Sequence, residues 1–186
     1  MIYVAIYSFS CFLLEPGLFG NDASLEKLRK HYEGIKGLDA NIVQVRYSKY
    51  LKKPVTSDVI LTWSPESFIW KVLRPVPFTL ISEKGLVKVD SGESPEFPGH
   101  VKQGLSQIIT FIEQLISANI NALTGEFELI LSGSTLTATP KDTEKSLINK
   151  PVKLTFHSDM SLESIVIGTG PDRSELKVQK FKIIRK

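Results

Sequence analysis

The chain has 186 residues, 42% of them hydrophobic and 23% charged, enough for one globular domain with a real core. Its formal net charge is only +3, with Lys and Arg spread along the chain, so no basic stripe for nucleic acid is visible. The single cysteine, Cys11, excludes a disulfide framework within the chain.

Met1 to Leu14 is almost wholly apolar. It is shorter than the roughly 20 residues that a spanning helix needs, and it suits the core of a secretory signal, here without a positive n-region. Gly17, Gly20 and Ala23 offer small residues for cleavage. Residues 1–20 are therefore expected to be a signal peptide, and 21–186 a single domain in the periplasm. Cys11 lies between Ser8-Phe9-Ser10 and Phe12-Leu13-Leu14, a poor context for lipidation.

Leu25, Leu28, Tyr32 and Ile35 recur at helical spacing, which predicts an amphipathic helix over Ala23–Lys36. Asp22 or Ser24 would cap it, and Gly34 and Gly37 would end it. Leu38 to Lys53 alternates and predicts a long strand, with Val43, Val45, Tyr47 and Leu51 on one face and Gln44, Arg46 and Ser48 on a wet one. Val59 to Gly85 reads as three antiparallel strands, Val59–Trp63, Phe68–Leu73 and Phe78–Ile81, parted by Pro and Ser. Phe68, Trp70 and Val72 alternate onto one apolar face. Leu86–Asp90 is a further short strand, and Ser91–His100 is a loop.

Gln103 to Leu123 then carries Leu105, Ile108, Ile109, Ile112, Leu115, Ile116, Ile120 and Leu123 at helical spacing, with Glu113 as its only charge. It reads as a helix, broken near Ser117–Asn121, that is either a core helix or a cover over an apolar cavity. Strands are expected again at Glu126–Leu131, Thr135–Thr139, Val152–Phe156, Leu162–Ile167 and Leu176–Ile184. A change of parity between Val178 and Phe181 signals a bulge. The count comes to nine or ten strands.

No catalytic motif emerges. His31, His100 and His157 stand far apart without metal-ligand spacing, and Glu126 and Glu128 belong to a solvated face. What remains is an apolar surplus: Phe68, Trp70, Phe78, Leu80, Phe127, Leu129, Leu136, Leu154 and Phe156 share one concave face. A helix layer that fills that face makes an ordinary core; one that fills it partly makes a pocket for a lipid chain.

From Leu25 to the C-terminus the chain resembles the LolA family of periplasmic outer-membrane lipoprotein carriers, as a divergent member. Gln44 stands where that family has a conspicuous Gln after its first helix. Pro65, Phe68 and Trp70 reproduce a Pro followed by Phe three and Trp five residues later. Pro75, the segment Leu80-Ile81-Ser82-Glu83-Lys84-Gly85 and the segment Leu136-Thr137-Ala138-Thr139-Pro140-Lys141 match in order.

The resemblance implies a mainly β fold with helices (α+β), a curved antiparallel half-barrel sheet covered on its concave face by a helical lid. It implies a monomeric carrier without catalysis, cofactor, metal or nucleic acid. Such a carrier takes acylated lipoproteins from an inner-membrane lipoprotein-releasing ABC transporter and passes them to an outer-membrane acceptor. The residues expected to line the cavity are Leu61, Phe68, Trp70, Phe78, Leu80, Ile108, Ile112, Leu115, Phe127, Leu129, Leu136 and Phe156. Ser64 takes the place of an Arg that latches the lid in typical carriers, which predicts a looser lid unless Arg46 or Arg74 substitutes. Leu86–Val89 stands where the family has an aromatic residue. The alternatives are an outer-membrane acceptor of the same fold, a carrier of another lipid, and an exported lipid hydrolase.

Overall fold

Short runs with apolar residues at alternate positions, parted by Pro, Gly and Ser, form strands that meet their neighbours through turns. In the computed structural model, which describes residues 20–83, 86–90, 109–117, 119–143 and 150–185, ten such strands form one sheet. Helix α1 (Gly20–Tyr32) leads into β1 (Ile35–Arg46), β2 (Val55–Ser64), β3 (Ser67–Arg74), β4 (Phe78–Glu83) and β5 (Leu86–Asp90). Helices α2 (109–116) and α3 (Ile120–Glu126) follow. The chain ends in β6 (Phe127–Ser132), β7 (Thr135–Pro140), β8 (Val152–Phe156), β9 (Leu162–Thr169) and β10 (Asp172–Arg185).

The strand order is β5-β4-β3-β2-β1-β10-β9-β8-β7-β6, and every pair is antiparallel. Two meanders are thus joined along β1 and β10, and β5 and β6 form the edges of an open sheet. The chain between β5 and β6 has to cross from one edge to the other, and α2 and α3 lie in that connection. Ile109, Phe111, Ile112, Leu115, Ile116 and Leu123 of this stretch are buried in one cluster with the inward residues of the sheet. Full burial of such side chains contributes about 1.5–3 kcal/mol each. A twisted sheet of this width curls instead of lying flat. The helices cover the concave face of a curved half-barrel, as the resemblance implies.

Several boundaries differ from expectation. Helix α1 runs from Gly20 to Tyr32, so Asp22 and Ser24 lie inside it. Gly34, at φ 73°, turns the chain out of the helix, and Ile35 already belongs to β1. Strand β1 stops at Arg46 instead of Lys53, because residues 47–54 form the turn to β2. Its parity is also opposite to that predicted. Leu38, Ala40 and Ile42 are buried opposite Trp63, Leu61 and Val59, so Gln44 and Arg46 share the concave face and Val43 and Val45 point outward. A period of two fixes only relative faces; the buried half of the strand, through its pairing with β2, decides which is inside.

Helix α3 continues through Thr124-Gly125 to Glu126, and β6 starts at Phe127. The expected break in the long helix is present: Asn119 caps α3 by accepting from the Ala122 amide at 3.3 Å. The expected bulge is present too. The register passes from Asn41 opposite Lys180 to Ile42 opposite Val178, leaving Gln179 unpaired. The predicted signal peptide through residue 19, the loop 91–100 and the helical start 103–108 lie outside the described residues.

Candidate functional site

Alternation turns Trp70 and Val72 of β3, Phe78 and Leu80 of β4 and Leu176 of β10 toward the concave face. Ile167 of β9 joins them from below, and α2 brings Ile109 and Ile112 from above, one turn apart. These residues enclose a cavity of about 440 Å³ together with Gln44, Arg46, Val55, Ser57, Pro75, Val76 and Ser174. The exposed members of the lining, Arg46, Val55, Pro75 and Val76, lie where β1 passes into β2 and β3 into β4. The cavity therefore reaches the surface at that end of the sheet.

On the other half of the concave face, aromatic side chains from helices and strands meet. Phe111 of α2 meets Phe127 of β6 edge to face, with ring centroids 5.1 Å apart. Tyr32 of α1 packs on Phe156 of β8 at 6.5 Å and donates its hydroxyl to the Met160 carbonyl at 3.3 Å. Burial pushes that hydroxyl well above the usual tyrosine pKa. Of the residues expected to line a cavity, Trp70, Phe78, Leu80 and Ile112 do so. Leu61, Phe68, Leu115, Phe127, Leu129, Leu136 and Phe156 are buried in the core cluster and are not among the residues lining this cavity. Ile108 lies outside the described residues. Ile109, Val72, Ile167 and Leu176 line the cavity without having been singled out for it, and Gln44 and Arg46 form its polar mouth.

A second, polar cleft of about 420 Å³ lies at the opposite ends of β2–β4, lined in part by Trp63, Ser64, Glu66, Ser67, Ser82, Glu113 and Ser117. Ser64 borders this cleft, as does Glu113 of α2, and the Ser64 hydroxyl donates to the Ser67 carbonyl at 3.5 Å, across the β2–β3 turn. A polar contact between lid and sheet is made within the same cleft. The Ser82 hydroxyl, only 3% exposed, hydrogen-bonds the Glu113 carboxyl of α2. Burial raises the pKa of Glu113, and the Ser82 bond offsets part of that rise. Arg74 pairs with Asp58, and Arg46 lies at the cavity mouth, so neither shares the cleft with Ser64.

Among the described residues no group of three or more His, Cys, Asp or Glu side chains converges on a metal position. No helix among them is long and apolar enough to cross a membrane.

No protein-family model matches the chain, and no curated protein does. Among solved structures the chain is similar to a LolA superfamily protein from Nitrosomonas europaea, at 12% identity, covering 89% of this chain and 94% of that one, with a TM-score of 0.45. It is also similar to a DUF1329 family protein from Desulfovibrio piger, at 12% identity, with 86% and 90% covered and a TM-score of 0.40. A third is LprF from Mycobacterium bovis, at 14% identity, with 84% and 90% covered and a TM-score of 0.36. Likenesses of this degree say nothing of what the chain binds.

Proposed function

We propose that the protein is a soluble carrier of acylated cargo. It holds the acyl chains of lipoproteins in the cavity beneath α2 and ferries them through the periplasm, from an inner-membrane releasing transporter to an outer-membrane acceptor. The observation that carries this reading is the cavity. Protein interiors are normally filled to the density of organic crystals. A space of about 440 Å³ floored by Trp70, Val72, Phe78, Leu80 and Leu176 is the kind of site that takes an apolar ligand. Ten methylenes moved into it from water would contribute about 8 kcal/mol, set against the cost of ordering the chain. Among the described residues the lining is mainly apolar, with Gln44, Arg46, Ser57 and Ser174 as its polar members. The resemblance of the Pro65-Phe68-Trp70 spacing to lipoprotein carriers points the same way.

The two tryptophans make the test direct, because Trp70 lines the apolar cavity and Trp63 the polar cleft. In the Trp63→Phe protein, a spin-labelled acyl chain should quench the remaining indole strongly. In Trp70→Phe, it should quench little. Equal quenching in both variants, or none in either, would remove acyl chains from this cavity. Native mass spectrometry of protein taken from its own cell envelope then identifies the cargo.

A further inference from the structure

The end of the sheet where the cavity opens has an unusual surface. The turn 47–54 between β1 and β2 reads Tyr-Ser-Lys-Tyr-Leu-Lys-Lys-Pro. Tyr50 is 83% exposed and Leu51 43%, and Val76 in the neighbouring β3–β4 turn is 55% exposed. Lys49, Lys52 and Lys53 are exposed among them, beside the exposed Arg46. Arg46, Lys52 and Lys53 have no carboxylate partner among the described residues.

The turn is held in place. Asp172, at the start of β10, accepts from the Ser48 hydroxyl and from the Lys49 amide, both at 3.1 Å. The Leu51 amide donates to the Ser48 carbonyl at 3.0 Å, and the Tyr47 amide to the Arg173 carbonyl at 2.8 Å. The Arg173 guanidinium covers the Tyr47 ring at 3.9 Å. This framework presents Tyr50 and Leu51 to water, where apolar surface is costly, instead of letting them fold back onto the sheet. An aromatic ring with a polar tip, a leucine and long-stemmed lysines together suit the headgroup boundary of a bilayer. The unpaired cations suit its phosphates.

We propose that the 47–54 turn, with Val76 beside it, docks the protein on an anionic lipid surface. Tyr50, Leu51 and Val76 enter the headgroup boundary, and Arg46, Lys52 and Lys53 meet the phosphates. Arg46 and Val76 also line the cavity, so docking in this pose sets its mouth against the bilayer. The inference goes beyond the carrier reading and rests on the surface alone: a protein with an empty cavity would dock equally well.

The test is co-sedimentation of the full chain with large vesicles, either of phosphatidylcholine alone or with about a third of phosphatidylglycerol to supply the anionic surface. Residues 1–14 carry no charged side chain and add equally to both, so the ratio of the two affinities is the readout. The expected ratio is about tenfold or more at low salt, and it falls as salt rises. Lys52→Glu/Lys53→Glu should abolish it, since each lysine at such a surface is worth roughly a fivefold change in partitioning. Tyr50→Ser/Leu51→Ser should weaken binding to the anionic vesicles several-fold. Lys36→Glu/Lys182→Glu makes the same change of charge at exposed positions near the other end of β1 and should leave the ratio intact. The proposal is overturned if the unaltered chain shows no ratio, or if the Lys36/Lys182 variant loses as much as the Lys52/Lys53 variant. It is equally overturned if the Tyr50/Leu51 variant binds as tightly as the unaltered chain, since Tyr50 and Leu51 would then not enter the headgroup boundary.

Discussion

Phe68 and Trp70 stand two residues apart on the same face of β3, and truncating each to Ala should separate core from cavity. Phe68 is fully buried and lines neither cavity. Removing its ring opens a new hole; one on the order of 100 Å³ adds about 2.4 kcal/mol at roughly 24 cal/mol per Å³, on top of the lost transfer energy. Phe68→Ala should therefore cost about 4–5 kcal/mol, at the top of the range for buried aromatics. Trp70 is larger, but one side of it already borders a void of about 440 Å³. Only its packed side loses contacts, and the space merges with an existing one. Trp70→Ala should cost about 3 kcal/mol, the lower end of the same range. The assay is urea unfolding of lipid-stripped protein, with both variants compared at equal m-value. Adding an acyl ligand at about 100 times its Kd should then stabilise the unaltered protein by about 2.7 kcal/mol, and Trp70→Ala by less. If Trp70→Ala costs as much as Phe68→Ala without lipid, the space beside Trp70 is filled in solution and the cavity argument fails.

Two further outcomes concern the polar end of the lid. Burial holds the pKa of Glu113 above its ordinary value, so the folded state takes up its proton more readily than the unfolded chain. The unaltered protein should therefore lose stability relative to Glu113→Gln as pH rises from the ordinary carboxylate range through the raised pKa; a difference that does not change with pH would show the carboxyl to be solvated. Ser64→Arg should bring a cation into the cleft that holds Glu113 and slow amide exchange across residues 109–117. The effect should vanish in the double variant with Glu113→Gln, and exchange unchanged by Ser64→Arg alone would mean that position 64 cannot latch α2.

The strands were legible because each carries its own alternation between turn residues, as in the Phe68, Trp70, Val72 series or the Phe127, Leu129, Leu131 series. The bulge at Gln179 was legible for the same reason, since an extra residue leaves a visible step in a period of two. Strand β1 was misread because its signal is mixed. Val43 and Val45 look like an inward pair, and only the pairing of Leu38, Ala40 and Ile42 with β2 shows that the other parity is buried. The end of β1 was misread because Tyr47 and Leu51 carry the alternation of Val43 and Val45 on past Arg46. What stops it is the hold of Asp172 on Ser48 and Lys49, from the far end of the chain.

The site was legible in kind and only partly in detail. Alternation states that a side chain points inward; it does not state whether the space it meets is filled. Phe68 lies opposite Ser82 and Trp70 opposite Leu80, both pairs on the same face. Yet the first residue is core and the second lines a cavity. The difference comes from elements remote in sequence. Pairing of β1 with β10 carries Leu176 and, through β9, Ile167 beneath α2. On the β6–β8 side, Phe111, Phe127, Tyr32 and Phe156 close the gap with ring contacts. On the β1–β4 side, α2 offers aliphatic Ile109 and Ile112, which reach less far than a ring. The cavity therefore follows from where the lid helix spends its one aromatic side chain, and Phe111 goes to the opposite wall.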